Sequence, residues 1–303
     1  MRLADRQSIG QHPENLVLKE DRPKFSLVLA TVGRTSELER FLAHLDAQSY
    51  RNFELIVIDQ NPDDRLVAVM SPYKERFPVI RCRSPIGLSR ARNVGLGHAS
   101  GDIIAFPDDD CWYPNDLLER VLTLFRENPA ADCITGRAID PSVLGFRNTS
   151  GPVTKQNVFR CGISYTIFIR AKAMEGIGGF DESLGLGTVS GRIALEETDY
   201  LIRALSASRS IFYHAELNVF HGDSPLVYDD NLIRRQYGSS VAFGYVLRKH
   251  GYPFWFVLYS WLRPFGGACL SLLAFNRQKA RYHYSACMGR VAGWLRSDGP
   301  SRD

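Results

Sequence analysis

No two cysteines of this 303-residue chain stand at metal-binding spacing. The six, Cys82, Cys111, Cys133, Cys161, Cys269 and Cys287, are scattered without a CxxC pair. That pattern argues against a zinc module or a disulfide framework and suits reduced thiols in a cytosolic protein. A basic-then-apolar leader is missing from residues 1–24, which are polar and mixed and are expected to form a loose arm. There is no internal repeat, so a solenoid is not expected. No helix-turn-helix or RNA-binding signature accompanies the basic residues, and nucleic acid is therefore not an expected partner. Acidic residues are scarce at one end only. Residues 231–303 hold eleven Lys or Arg against two acids, whereas residues 1–230 hold 26 against 31. The mild net charge of +4 thus combines an acidic body with a strongly basic tail, and such a tail suits an anionic lipid surface.

A long uninterrupted apolar run is also missing. Residues 254–275 approach the ~20 residues that a membrane span requires, but Arg263, Pro264, Gly266 and Gly267 interrupt the middle. Arginine at the centre of a span costs about 2.5–3.5 kcal/mol on insertion scales. Two readings fit: short interfacial helices hinged at Pro264 with Trp255, Trp261 and Trp294 at head-group level, or a hydrophobic helical hairpin packed on the domain.

What is present is enough apolar residue, 45%, for a large core, and a regular alternation of short apolar runs with amphipathic stretches. Strands are predicted at 25–31, 53–59, 79–83 and 103–106, with helices at 37–47, 65–77, 89–98 and 114–127. Four such alternations imply right-handed βαβ units on a mostly parallel sheet. Residues 138–158 read as a surface loop, 159–170 as a strand and 176–191 as a glycine-rich segment. A helix is expected from Glu196, then strands at 210–213 and 217–221, and helical, aromatic, basic sequence from 225.

The most informative stretch is DIIAFPDDD, residues 102–110, in which an apolar strand delivers three carboxylates from its end. Three adjacent negative charges repel, so a cation or a helix end is needed to absorb them. Open α/β sheets bind ligands at the carboxyl ends of their strands, where these acids sit. An acidic turn capping the helix after Pro114 is the plainer reading of the triplet. Gly33 and Arg34 leave the first strand in a tight turn, Asp59 ends the second strand or caps a helix, and Glu196, Glu197 and Asp199 open a helix whose dipole favours acids.

Seven segments in consistent order, VLATVGR, ELIVIDQNPDD, GLSRARNVGL, GDIIAFPDDDCWYPNDLL, GGFDESLGLGT, EETDYLIRAL and VFHGD, resemble the family 2 glycosyltransferases, inverting enzymes of the GT-A fold. The resemblance covers roughly residues 25–250. It implies a Rossmann-like, mostly parallel mixed sheet flanked by helices over 25–224, with a helical, basic-aromatic appendage over 225–303. It implies nucleotide-sugar contacts by Thr31, Gly33, Arg34 and Asp59, the last toward the base, although Gln60 stands where a second Asp is usual. Arg90, Arg92 and Asn93 match the element that faces the diphosphate, with Asn93 equally suited to a structural bond. Asp108 and Asp110 match the DxD motif that holds a divalent cation, Mn²⁺ or Mg²⁺; Asp109 is a helper near the sugar and His221 a third ligand, with His214 a weaker rival. Glu197 occupies the position of the catalytic base, one methylene longer than the usual Asp, with Asp199 as the alternative base and Glu196 beside them. Asp181 is an acceptor contact in a loop able to close over the donor.

The expectation is an enzyme that moves one sugar from a nucleotide diphospho-sugar, UDP-linked by preference, to a glycan or polyprenyl-diphosphate-linked acceptor, at the inner face of the cytoplasmic membrane. A processive synthase is disfavoured because neither several membrane helices nor a QxxRW motif is present, and a nucleotidyltransferase because a glycine-rich basic loop is lacking after the first strand. A degenerate, non-catalytic nucleotide-sugar or partner-binding module is the remaining rival, given Gln60 and Glu197.

Overall fold

The computed structural model describes residues 22–140, 147–222 and 227–296. The expected arm therefore lies outside it except for residues 22–24, as does the boundary expected at 224. Strands β1 (Phe25–Thr31) and β2 (Phe53–Asp59) are buried almost throughout, because helices cover both faces of the sheet. With β3 (Val79–Arg83) and β4 (Ile103–Ala105) they form a parallel half-sheet in the order β3-β2-β1-β4. The connecting helices are α1 (Ser36–Asp46), α2 (Arg65–Met70) and α3 (Leu88–Leu96). Alternate residues of β1 and β2 face opposite cores: Leu27, Leu29, Leu55 and Val57 meet Leu38, Phe41 and Leu42 of α1, whereas Val28, Ile56 and Ile58 meet Ala91 of α3. Gly95 lets α3 settle on the sheet, since a Cβ there would strike Val28.

The second half is mixed. It comprises β5 (Cys111–Trp112), α4 (Leu117–Glu127), β6 (Cys133–Ile139), β7 (Gly151–Pro152), β8 (Ile167–Arg170), α5 (Glu196–Ser206) and β9 (Ile211–His221). The order continues β4-β8-β6-β9-β5, with β7 also on β9; β8 is antiparallel to both its neighbours, and β6 is parallel to β9.

Several elements differ from expectation, each for a physical reason. Residues 133–139 lie partly within the expected loop yet form β6, whose Gly136 admits the backbone of Leu217 where a side chain would clash. The two expected strands at 210–213 and 217–221 are one strand, β9, that accommodates the polar Glu216 across a register shift against β6. Of 159–170 only the last four residues pair; short 3-10 turns occupy Val158–Arg160 and Ser164–Thr166. The helix expected over 65–77 ends at Met70 and tightens into a 3-10 turn containing Pro72.

The C-terminal region is three helices, α6 (Asp230–Lys249), α7 (Phe254–Leu273) and α8 (Arg277–Arg296). Helices α6 and α8 cross closely at Gly244 and Gly293, where any Cβ would meet the facing backbone. Pro264 produces no hinge: α7 is continuous through it. Proline cannot donate to the carbonyl four residues before it, that of Ser260. In its place Arg290 of α8 donates to the Ser260 carbonyl at 2.6 Å, with its guanidinium 4.4 Å from the centre of the Phe243 ring. The guanidinium is so buried that its pKa falls to about 10. Arg290→Met is expected to destabilise the protein by about 1–3 kcal/mol, the usual penalty for an unsatisfied buried carbonyl, measured by urea unfolding; an unchanged midpoint would show that the carbonyl needs no partner.

Candidate functional site

Strand β4 ends in the middle of the sheet, and the turn that follows carries Asp108, Asp109 and Asp110 to its carboxyl edge. The three carboxylates are handled separately. Asp108 accepts from Arg92 Nη2 at 3.0 Å and lies 3.3 Å from Ser164 Oγ; burial pushes its pKa up to about 6 even though Arg92 pulls it down. Asp109, 6% exposed, accepts from Thr31 Oγ1 at 2.6 Å and Arg34 Nη1 at 2.7 Å, and burial raises it as well. For Asp110 the upward push of burial is outweighed by His221 and Arg34, which hold it down at about 2. Arg34 pairs with both Asp109 and Asp110. The triplet does not cap a helix: α4 begins only at Leu117.

His221 reaches the triplet because β9 runs antiparallel to β5, which places His221 directly opposite Cys111. Its Nε2 lies 2.9 Å from Asp110, and its Nδ1 lies 2.7 Å from Asp140 at the end of β6. The Tyr165 ring stacks on the imidazole at 4.9 Å with the planes 6° apart. Burial lowers the histidine pKa, but the Asp110 and Asp140 carboxylates win and raise it to about 9. One ligand atom each from Asp108, Asp110 and His221 lie within 4.8 Å of one another. Two carboxylates and an imidazole, the latter oriented by a second carboxylate on its other nitrogen, form a donor set that fits Mn²⁺ or Mg²⁺. His214 is not brought to this cluster; it lies beside Arg120 and Glu127, at the α4 side of β9.

Facing the triplet is the start of α5. Arg92, 1% exposed, bridges the two acidic elements: Nη2 to Asp108 and Nη1 to Glu196 at 2.7 Å. It is thus a buried link, and the structure does not present it to the open cleft. Glu197 is half-buried; burial and the neighbouring Glu196 charge raise its pKa well above the usual carboxylate range, against the pull of Arg92. Asp199 points elsewhere. It is fully buried, with Arg203 at 2.9 Å and Lys249 and His250 each at 2.8 Å; the hydrogen bond to His250 and the charges of Lys249 and Arg203 outweigh burial and hold it far below the usual range. Lys249 also holds Asp181 at 2.6 Å, with the Tyr245 hydroxyl at 3.2 Å. Helix α6 therefore grips both α5 and the 176–191 segment.

The remaining expected residues divide into cleft and support. Gly33 (φ +75°) turns the chain after β1 and donates to Asn61 Oδ1 at 2.6 Å. Asp59 has no exposed surface: Asn61 supplies two donors to one carboxylate oxygen, and Arg81 binds the other at 2.6 Å. It orders this turn and caps no helix. Gln60 accepts from the Gly87 backbone at 2.7 Å, closing the loop that starts α3. Arg90 pairs with Glu182 at the surface at 3.0 Å, and Asn93 clamps the Phe180 backbone through both ends of its amide. Asp140, Tyr165, Ser164, Asn61 and Lys249 are site residues that sequence reasoning missed. Asp140 alone carried a usable signal, a carboxylate ending a strand.

Comparison with known proteins bears on the family and the fold. The family model Glycosyl transferase family 2 matches residues 26–175. Two uncharacterized glycosyltransferases of Haemophilus influenzae are similar, at 29% identity over 190 residues and 30% over 109, covering 59% and 35% of this chain. Those alignments span 61% and 44% of the relatives' own lengths. Among solved structures, S. aureus TarS 1–349 superposes with a TM-score of 0.59 at 16% identity, covering 89% of this chain and 92% of that one. A mannosyltransferase from Pyrobaculum calidifontis, in complex with GDP-Man and Mn²⁺, gives 0.61 at 14% identity, covering 91% and 88%. TarS has also been solved with UDP and with UDP-GlcNAc.

Removing the central guanidinium tests the linkage directly. Arg92→Met leaves Asp108 and Glu196 buried without their shared partner and is expected to cost about 3–5 kcal/mol near neutral pH. Asp108, already raised by burial, then loses the charge that pulls it down and binds its proton more tightly still, so the deficit should grow as pH rises from 4 to 7. Urea titrations across that range check it; a pH-independent deficit would mean that packing, not charge, is what Arg92 contributes.

Proposed function

Because the chain belongs to glycosyltransferase family 2 and has the GT-A fold, we propose that it transfers a sugar from a nucleotide diphospho-sugar to a hydroxyl of a glycan or lipid-linked glycan, inverting the anomeric carbon. The observation that carries this reading is the convergence of Asp108, Asp110 and His221, with Glu197 across the Arg92 link. These three residues would hold Mn²⁺ or Mg²⁺, which neutralises charge on a departing diphosphate. Glu197 accepts the acceptor hydroxyl proton as that oxygen bonds to the anomeric carbon, and the electrons of the breaking bond leave on the diphosphate. Its raised proton affinity suits a base for a hydroxyl, whereas Asp199, paired with Lys249 and Arg203 and hydrogen-bonded to His250, is poorly suited to that role.

Thr31 and Arg34 position Asp109, and Arg34, partly exposed at the cleft, is the guanidinium available to a phosphate. Arg92, Asn93 and Asp59 act as positioning residues. UDP-linked sugars are the first donors to test, with GDP-linked sugars beside them. The site of action proposed is the cytoplasmic side, in polysaccharide or glycoconjugate biosynthesis; reduced thiols suit that compartment.

The test is nucleotide release from a panel of UDP-, GDP- and dTDP-sugars with Mn²⁺, Mg²⁺ or chelator. Release should need the metal and fall at least 100-fold in Asp110→Ala. Glu197→Gln should lower the rate by about 10²–10⁴-fold, with nucleotide affinity by calorimetry unchanged. No release from any donor, together with no metal-dependent nucleotide binding, would favour the non-catalytic module.

Glu197→Gln has a second signature. A carboxyl whose folded pKa is raised contributes stability that is complete below about pH 4.5 and is lost as pH rises through the folded value. Glutamine has no such loss, so the variant should melt higher than the native protein at pH 8 and no higher at pH 4. Equal melting temperatures at pH 8 would show that Glu197 is an ordinary surface acid.

A further inference from the structure

We propose that α7 is a docking surface for an anionic lipid bilayer and lies flat in its interface. The buried residues of α7, Val257, Ser260, Pro264, Ala268 and Ser271, recur at helical spacing and define the face turned toward the protein. The opposite face runs the length of the helix through Trp255, Tyr259, Leu262, Leu270 and Leu273, flanked by Phe254, Leu258 and Phe265, all exposed. Phe275, in the turn to α8, is 92% exposed. A continuous patch of this length needs an occupant.

Charge identifies the occupant. From Asn231 to Arg296 the chain has no acidic residue, so neither α7 nor α8 offers a negative charge. Exposed Arg263, Arg277 and Lys279 enter no ion pair among the described residues. A second copy of this surface would set like charges against one another, whereas anionic head groups complement them.

Orientation follows from the same residues. A 20-residue helix is about 30 Å long, enough to cross the hydrocarbon core. Crossing would place Arg263 at mid-depth and would require the partner helix α8, with its arginines at 277, 281, 290 and 296, to cross too. Lying flat avoids both. At 100° per residue Arg263 projects about 80° from the centre of the apolar stripe, which is head-group level for an in-plane helix. Trp255 and Tyr259 have the amphipathic rings that the interface favours.

The inference rests on the helices and not on the transfer reaction, so vesicle binding and nucleotide release can fail independently. The full chain is sedimented with vesicles of phosphatidylcholine alone or with about one third phosphatidylglycerol, at low and high salt. The expected result is binding to the anionic vesicles only, weakened by salt, and quenching of Trp255 fluorescence by brominated lipid, measured against Trp255→Phe. The double variant Leu262→Glu/Leu273→Glu should bind at least tenfold more weakly, while circular dichroism and nucleotide affinity stay native. Undiminished binding by that variant overturns the proposal, as does no binding by the native chain. A native dimer in light scattering that the double variant converts to a monomer also overturns it, since a second copy is then the occupant.

Discussion

Arg92 stands between the acidic turn after β4 and the acidic start of α5, and neither could be buried without it. Its guanidinium has 1% of its surface exposed and bridges Asp108 and Glu196. Two carboxylates brought so close without a cation would each favour protonation, and the turn and the helix would separate. With the guanidinium in place, both elements are fixed around one cleft. Burial, with neighbouring carboxylates, still raises Asp108 to about 6 and Glu197 well above the usual carboxylate range against the pull of Arg92.

The acids and the histidine meet because strand ends meet. Asp59 ends β2, Asp108 follows β4, Asp140 follows β6 and His221 ends β9. Parallel pairing of β2 and β4 with β1, and of β6 with β9, brings these carboxyl ends to one edge. The short antiparallel contact of β5 with β9 then brings His221 beside Asp110.

The C-terminal helices are integral to this arrangement. Lys249, at the end of α6, pairs with Asp199 on the helix that carries Glu197, His250 adds a hydrogen bond to it, and Lys249 also holds Asp181 on the glycine-rich segment. The same three-helix unit exposes the apolar face of α7. The three-helix unit is therefore ion-paired to α5 and to the glycine-rich segment, and its removal would leave the buried Asp199 with Arg203 as its one remaining cation among the described residues.

Local chemistry made much of this legible. The strands β1 and β2 have the predicted bounds because largely apolar runs ended by turn residues leave little choice. The grouping of Asp108 and Asp110 followed from carboxylates that are costly to crowd without a cation, and His221 from the family resemblance. Strand β6 was hidden because Gly136 and Arg137 break its apolar pattern, and its reason for pairing is the backbone of Leu217 far along the chain. Pro264 suggested a hinge because its lost hydrogen bond is local, whereas the compensating donor, Arg290, comes from another helix. Nor could sequence separate Glu197 from Asp199, two acids in one helical turn. Tertiary contacts separate them: Lys249, His250 and Arg203 surround Asp199, whereas Glu197 lies near Glu196, Arg92 and Asp108. The sequence by itself determined the parallel strands β1 to β4 and the carboxylates that follow β2 and β4. Tertiary structure decided which groups share a partner, because charge pairing at 3 Å depends on contacts between residues as distant in the chain as Arg92 and Glu196.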